Sequence, residues 1–224
     1  MAILALRDIV KKYRMGDSIV TALDNLSITV EEGEFVAVVG TSGCGKTTLL
    51  NIAAGLERPT KGEVLYRNIT LNKLKEKDLV LFRQRVMGFV FQGYNLLPAL
   101  TALENVALPL VFAGIARKER LVRAMQMLEL VGLKDRYRHK PMEMSGGQQQ
   151  RVSVARALVG RPKIIFADEP TGNLDTRTSA EIVTYLKEAA SKNRQTLVLV
   201  THDSKIAGIA DRRIFLSDGK LINE

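Results

Sequence analysis

Two stretches of this sequence carry residue types, at spacings, suited to handling phosphate. Gly40-Thr41-Ser42-Gly43-Cys44-Gly45-Lys46-Thr47 follows the pattern G-x-x-x-x-G-K-[ST]. Its glycines admit backbone conformations closed to other residues, so successive N–H groups can turn inward on phosphate oxygens. The N-terminus of a following helix adds favourable dipole charge. Lys46 then reaches the β and γ phosphates, and the Thr47 hydroxyl is the expected ligand for Mg²⁺, which prefers oxygen donors and keeps several waters. The second stretch, Ile164-Ile165-Phe166-Ala167-Asp168-Glu169, is apolar and ends in two carboxylates. At the carboxyl edge of a parallel sheet, Asp168 would hold Mg²⁺ directly or through water. Strand alternation would point Glu169 the other way, to polarise an attacking water. Such a pair alone reads as a solvated turn; a phosphate loop upstream favours the catalytic reading. His202 could stabilise charge on the γ phosphate or hold the water, and the amide of Gln92 could touch both Mg²⁺ and water. Cys44 is either a thiol activated by an electropositive loop or an inert structural one.

The elements that must position these residues follow from periodicity. Leu26–Glu31 alternates, and Phe35–Val39 is a short continuous apolar run of the kind found in a buried parallel strand, ended by Gly40. From Lys46 a buried helix carries Leu49, Leu50, Ile52 and Ala53 and stops at Gly55, with Pro59 beyond. A second buried strand is predicted at Val86–Phe91. Helical character runs from Ala102 to Leu133, where Leu121, Ala124, Met125, Leu128 and Val131 recur at helical spacing and Gly132 supplies a stop. A helix through Gln148–Val159, a strand at Ile164–Ala167, a helix carrying Ile182, Val183, Leu186 and Ala189, and a strand at Thr196–Val200 follow. Ile214–Ser217 and Lys220–Asn223 flank Asp218-Gly219, the signal of a tight hairpin. The alternation predicts an α/β fold with a mostly parallel sheet and helices on both faces.

The chain has 224 residues, 46% hydrophobic and 25% charged, the composition of an ordinary globular domain. No apolar run approaches the roughly 18 to 20 residues of a membrane helix. The N-terminus lacks a basic leader with a long apolar stretch, so a cytoplasmic location is expected. A single cysteine, Cys44, allows no intrachain disulfide and fits a reducing compartment. The net charge of +9 suits nucleic acid, anionic lipid head groups or nucleotide phosphates, or is a solvated basic surface; its spread along the chain weakens the nucleic-acid reading.

Ser145-Gly146-Gly147-Gln148, followed by Gln149-Gln150-Arg151, looks like the ABC signature motif, and with it the whole chain resembles an ABC transporter ATPase. Asp168-Glu169-Pro170-Thr171 and Gly172-Asn173-Leu174-Asp175 follow in the family's order. Met144 stands where leucine is commoner before the signature serine, a volume-conserving change. Physically, Ser145 and the two glycines place a hydroxyl and bare N–H groups at a helix start, a second anion site in one chain. The resemblance implies a P-loop NTPase core with an N-terminal antiparallel β region and an inserted α-helical subdomain. In numbers, residues 1–92 and 141–224 form the core and 93–140 the helical part of one nucleotide-binding domain, 1–224. It assigns Tyr13 to adenine stacking, Gly40 to Thr48 to ATP, Gln92 to the Q-loop, Asp175 to the D-loop across a dimer and His202 to the switch position. Thr47, Gln92 and Asp168 are the implied metal ligands.

The resemblance further implies that the phosphate loop of one copy faces the signature of a second, sandwiching two ATPs, and that permease subunits receive the movement. Phe91-Gln92-Gly93-Tyr94-Asn95-Leu96-Leu97-Pro98, Ser145 to Arg151 and Pro170-Thr171-Gly172-Asn173-Leu174-Asp175 look most like the lipoprotein-releasing and macrolide-exporter group, whose relatives include cell-division and antimicrobial-peptide resistance ATPases. The surface around Gln92 to Pro98 is where a helix of the membrane subunit is expected, and the protein would sit on the inner face of the membrane through that subunit. A rival is a soluble ABC ATPase acting on nucleic acid or ribosomes, suggested by the positive charge; one phosphate loop, one signature and one cysteine argue against it. A non-hydrolysing regulatory module is the other, opposed by Glu169 and His202.

Overall fold

Apolar alternation and short apolar runs account for most elements of the computed structural model, which describes residues 1–222. In chain order the first are β1 (Ala2–Met15), β2 (Ser18–Glu31), β3 (Phe35–Val39), α1 (Lys46–Ala53), β4 (Lys61–Tyr66), β5 (Ile69–Thr70) and α2 (Glu76–Val86). There follow β6 (Met87–Val90), α3 (Ala102–Phe112), α4 (Arg117–Leu130), α5 (Gly146–Leu158), β7 (Ile164–Asp168) and α6 (Thr176–Lys192). The last are β8 (Thr196–Thr201), α7 (Ser204–Ala207), β9 (Arg212–Ser217) and β10 (Lys220–Ile222). They divide into two units, Met1–Arg83 with Thr196–Glu224, and Gln84–Gln195.

In the first unit, β1 and β2 form a long antiparallel hairpin turning at Gly16-Asp17, and β1 also pairs with β4 in the order β2-β1-β4-β5. Only the half of β2 from Leu23 onward alternates between buried and exposed; Ser18 to Thr21 are exposed. That is why the alternating sequence marks the strand only from Leu26. β3, buried except at Val39, runs parallel between β8 and β9, and β9 turns back into β10. Asp218 and Gly219 have φ of 47° and 74° at this hairpin, the positive values that a two-residue turn requires. Asn223, the expected end of the second strand, lies outside the described residues. α1 packs on β8 through its apolar residues Leu49, Leu50, Ile52 and Ala53.

In the second unit β6 and β7 are a parallel pair, with Phe89 and Phe166 stacked at 5.9 Å between ring centroids. Val86 ends α2 instead of opening β6. The helical stretch from Ala102 is two helices, α3 and α4, divided around Gly114, because both pack on α5 and on each other. Thr101 and Glu104 close a capping box at the start of α3. Buried Asn105 accepts from the Leu97 amide at 2.8 Å and donates to the carbonyls of Leu97, Leu100 and Thr101, which fixes the approach to that helix. Among the described residues no helix is long and apolar enough to cross a membrane.

Candidate active site

In the first unit the phosphate loop leaves the end of β3 and enters α1 at Lys46. A side chain at Gly40 would bring its Cβ within 2.3 Å of the Leu216 carbonyl oxygen and 2.5 Å of Cys44 Sγ. Gly45 has φ 107°, and a Cβ there would lie 2.5 Å from the Ala22 carbonyl oxygen. Packing alone therefore requires glycine at Gly40 and Gly45, the two fixed glycine positions of the motif. Cys44 is buried with its sulfur beside Gly40, so it fills the inside of the loop. Lys46 is also buried, and its ammonium donates to the carbonyls of Gly40 at 2.9 Å and Thr41 at 2.8 Å, which places the charge within the loop. Thr41, Ser42, Gly43 and Thr47 are exposed and Thr48 is half-buried. Because β3 and β8 are parallel with Val39 opposite Thr201, the loop and His202 emerge from one sheet edge. Asp203, next to His202, caps α7 by accepting from the Lys205 and Ile206 amides.

Tyr13 lies near the end of β1, and its hydroxyl donates to Glu57 Oε2 at 2.8 Å. Burial, with Glu57 beside it, raises the phenol above its ordinary range. Lys11, two residues back on the same strand face, pairs with Glu57 Oε1 at 2.8 Å and lies 5.0 Å from the Tyr13 ring centroid. Burial opposes ionisation of Glu57, but hydrogen bonds from Lys11 and Tyr13 outweigh it and hold the carboxyl below the usual carboxylate range. Sequence reasoning found Tyr13 but neither Glu57 nor Lys11; the only local signal was the i, i+2 spacing of Lys11 and Tyr13.

In the second unit β6 and β7 run parallel with Val90 opposite Ala167, so Gln92 and the Asp168-Glu169 pair also leave one edge together. Asp168 is the last residue of β7. Glu169 has φ 40°, so the chain turns there and its direction is set by a left-handed backbone instead of by strand alternation. The turn is held by the Gly172 amide donating to the Glu169 carbonyl at 3.0 Å and by buried Pro170. Gly172 lies against the Gln92 amide, where a Cβ would come within 2.7 Å of Nε2, and the Asn173 amide donates to the Gln92 carbonyl at 3.2 Å. Asn173 is thus part of the arrangement, a role its sequence position did not reveal. Gln92 is exposed and Asp168 and Glu169 are half-buried.

Ser145 caps α5: its hydroxyl accepts from the Gln148 amide at 3.3 Å while the Gln148 side-chain oxygen accepts from the Ser145 amide at 3.0 Å. Gly146 and Gly147 open the 13-residue helix, whose positive dipole end favours an anion. They are closely covered, since a Cβ at Gly146 would meet Tyr94 Oη at 2.7 Å and one at Gly147 would meet Thr178 Cγ2 at 2.8 Å. Asp175 accepts from the Thr178 amide at 3.0 Å and its hydroxyl at 2.7 Å, capping α6. Arg156, on the third turn of α5, donates to the carbonyls of Tyr94 at 2.8 Å and of Asn95. Those two residues have φ of 58° and 50°, and burial lowers the pKa of the guanidinium that holds them. The segment bearing Gln92 is therefore pinned to the signature helix.

The side chains that the sequence names for Mg²⁺ are each oxygen donors, the Thr47 hydroxyl, the Asp168 carboxylate and the Gln92 amide oxygen, the donor type that Mg²⁺ prefers and a thiophilic metal does not.

Residues 23–172 match the ABC transporter family. The ABC transporter ATP-binding protein MJ0796 of Methanocaldococcus jannaschii is 46% identical over 225 residues, covering 99% of this chain and 96% of that protein. The dimeric structure of that cassette in a post-hydrolysis state bound to ADP and Pi is similar with a TM-score of 0.92, covering 98% of this chain and 97% of that one. The lipoprotein-releasing system ATP-binding protein LolD of Geobacter metallireducens is 46% identical over 221 residues, 99% of this chain and 98% of that protein. The macrolide export ATP-binding/permease protein MacB of Hyphomonas neptunium is 46% identical over 222 residues, 99% of this chain and 34% of that protein. Likeness of this extent reaches well beyond the phosphate loop that many nucleotide hydrolases share, and the chain belongs to the ABC transporter family, among its ATP-binding proteins.

Proposed function

We propose that this chain is the ATP-hydrolysing motor of a transporter: two copies close head to tail on two ATPs, and hydrolysis reopens them to drive a separate membrane permease. The observation that carries this reading is the pairing, in one chain, of a glycine loop that enters α1 and a glycine-led start of α5, two helix starts of the kind that favour anions. The dimeric ADP and Pi structure of the MJ0796 cassette supports it. The loop amides and Lys46 bind the phosphates, and Ser145, Gly146, Gly147 and Gln148 of a second copy meet them from the other side. Thr47, Asp168 and Gln92 would hold Mg²⁺, which when bound neutralises phosphate charge. Glu169 accepts a proton from, or orients, the attacking water, and His202 and Gln92 fix the γ-phosphate end. Asp175 contributes across the dimer from the position its bonds to Thr178 define.

The helical stretch 93–140, with Leu96 and Leu97 near its start, receives a helix of the permease and carries the movement to it. Similarity to LolD and MacB favours a permease of the lipoprotein-releasing or macrolide-exporting type, with the chain held on the inner membrane face through it. Relatives aligned along nearly the whole chain are transporter proteins, which favours a permease over nucleic acid as partner. The test is the elution size of Glu169→Gln with and without Mg-ATP, beside phosphate release by both proteins. The expected result is an ATP-dependent dimer with hydrolysis reduced on the order of 10²-fold or more. Undiminished hydrolysis by Glu169→Gln would overturn the assignment of that residue.

A further inference from the structure

The hydrogen bonds around Tyr13 go beyond what adenine stacking needs. Glu57 is not on the strand with Tyr13 but on the segment leaving α1. Its amide and that of Leu56 both donate to the Asn51 carbonyl of α1, at 3.2 and 2.8 Å. The carboxylate therefore belongs to the same rigid piece as Lys46 and Thr47. From there it accepts from the Tyr13 hydroxyl through one oxygen and from Lys11 through the other. The Lys11 ammonium is further fixed on the Arg58 carbonyl at 2.9 Å. On the strand side, the Lys12 amide donates to Thr60 Oγ1 at 3.0 Å and the Thr60 amide to the Val10 carbonyl at 2.8 Å, which ties the backbone of the same two segments together.

We infer that Glu57 is a positioning residue for the nucleobase, clamping the Tyr13 ring to the phosphate-loop helix at a fixed reach, while Lys11 covers one ring face and leaves the other for a purine. This rests on the reading of Tyr13 as the stacking residue. A ring tethered at its hydroxyl loses little freedom when a base stacks on it, so the clamp acts on affinity for the nucleoside part of the ligand. A cation over the covered face also makes that face unavailable to a neutral base. The phosphate contacts, made by the loop itself, do not depend on the clamp.

The experiment compares the unmutated chain with Glu57→Ala, Glu57→Gln, Lys11→Met and Tyr13→Ala, measuring affinity for Mg-ATP, affinity for inorganic tripolyphosphate, and KM and kcat for hydrolysis. Glu57→Ala is expected to weaken ATP binding and raise KM about 5- to 10-fold, with tripolyphosphate affinity and kcat unchanged. Glu57→Gln, whose amide oxygen still accepts from the phenol, is expected to recover more than half of the loss. Lys11→Met is expected to fall between the two. Equal loss for ATP and tripolyphosphate in Glu57→Ala would show that Glu57 merely supports the phosphate loop and would overturn the inference. So would ATP affinity unchanged in Glu57→Ala but reduced in Tyr13→Ala. ATP affinity unchanged in Tyr13→Ala would instead remove the stacking reading itself.

Discussion

Replacing Arg156 by methionine keeps an unbranched apolar stem and removes the guanidinium. That group donates to two carbonyls, those of Tyr94 and Asn95, which stand in consecutive left-handed conformations. A left-handed backbone costs a non-glycine residue about 1–2 kcal/mol, so this segment relaxes unless something holds it. Hydrogen bonds from a charged donor contribute about 1.5–3 kcal/mol each. Asn95 is exposed and its carbonyl can turn to water, whereas Tyr94 is half-buried and its carbonyl loses more. Counting one full and one partial loss gives about 3 kcal/mol for Arg156→Met and roughly half that for Arg156→Lys, which can satisfy one carbonyl. For a chain of this size about 3 kcal/mol lowers Tm by roughly 6–12 °C, measurable by calorimetry or circular dichroism. Phosphate release should also fall at least ~10-fold, because Gln92 sits two residues before the pinned turn, while tripolyphosphate binding at the phosphate loop should hold. Thermal stability of Arg156→Met within about 2 °C of the unmutated chain would refute the reasoning.

Gly146→Ala sets a Cβ within 2.7 Å of Tyr94 Oη, so it should slow hydrolysis; adding Tyr94→Phe, which removes the atom it strikes, should restore part of the rate. No recovery in that double variant, with phosphate release as the assay, would mean the methyl acts on the nucleotide directly. Gly45→Ala combines a φ of 107° with a Cβ 2.5 Å from the Ala22 carbonyl oxygen, and is expected to weaken both ATP and tripolyphosphate by at least ~10-fold in equilibrium binding.

Features written in neighbouring residues were legible in the sequence. The apolar run Phe35–Val39 is a strand over those same residues, and Asp218-Gly219 is the hairpin turn its residue types demand. The phosphate loop sits between that strand and a helix beginning at Lys46, as its motif requires. What failed to show was of two kinds. Where an element meets water on several sides, periodicity disappears: only Leu79 of α2 is buried, and the tip of the first hairpin is exposed. And partners far apart in the chain leave no local trace. Tyr13 and Glu57 are 44 residues apart, Tyr94 and Arg156 are 62, and Gln92 and Asn173 are 81. The first two bonds fix residues that sequence reasoning had named, through partners, Glu57 and Arg156, that it had not; Asn173 it had named only within a motif, with no link to Gln92. The signature is an intermediate case. The capping box of Ser145 and Gln148 would start any helix, and it is the two glycines behind it, packed against Tyr94 and Thr178, that no ordinary cap needs.

Glu169 departs from the alternation of its own strand, and its backbone supplies a last prediction. Residues of β7 are extended up to Asp168, and the next one has φ 40°. Glutamate has no short side chain with which to satisfy that conformation locally, so the strain is of the order of 1–2 kcal/mol. The turn survives because the Gly172 amide closes on the Glu169 carbonyl and Asn173 anchors the next residues to Gln92. Glycine tolerates the same φ at no steric cost but adds freedom to the unfolded chain, which returns about 0.4–1 kcal/mol of the gain. Glu169→Gly should therefore be more stable than Glu169→Gln by up to about 1 kcal/mol, or roughly 2–4 °C in Tm, although both lack the carboxylate and both should be hydrolytically dead. Using glutamine as the reference separates the backbone from the loss of the carboxylate's own interactions. If Glu169→Gly melts at or below Glu169→Gln, the left-handed turn is not strained, and the position was set by the surrounding loop alone. If it melts above, stability was given up at this one residue to hold a carboxylate at the end of β7, where the proposed mechanism places it.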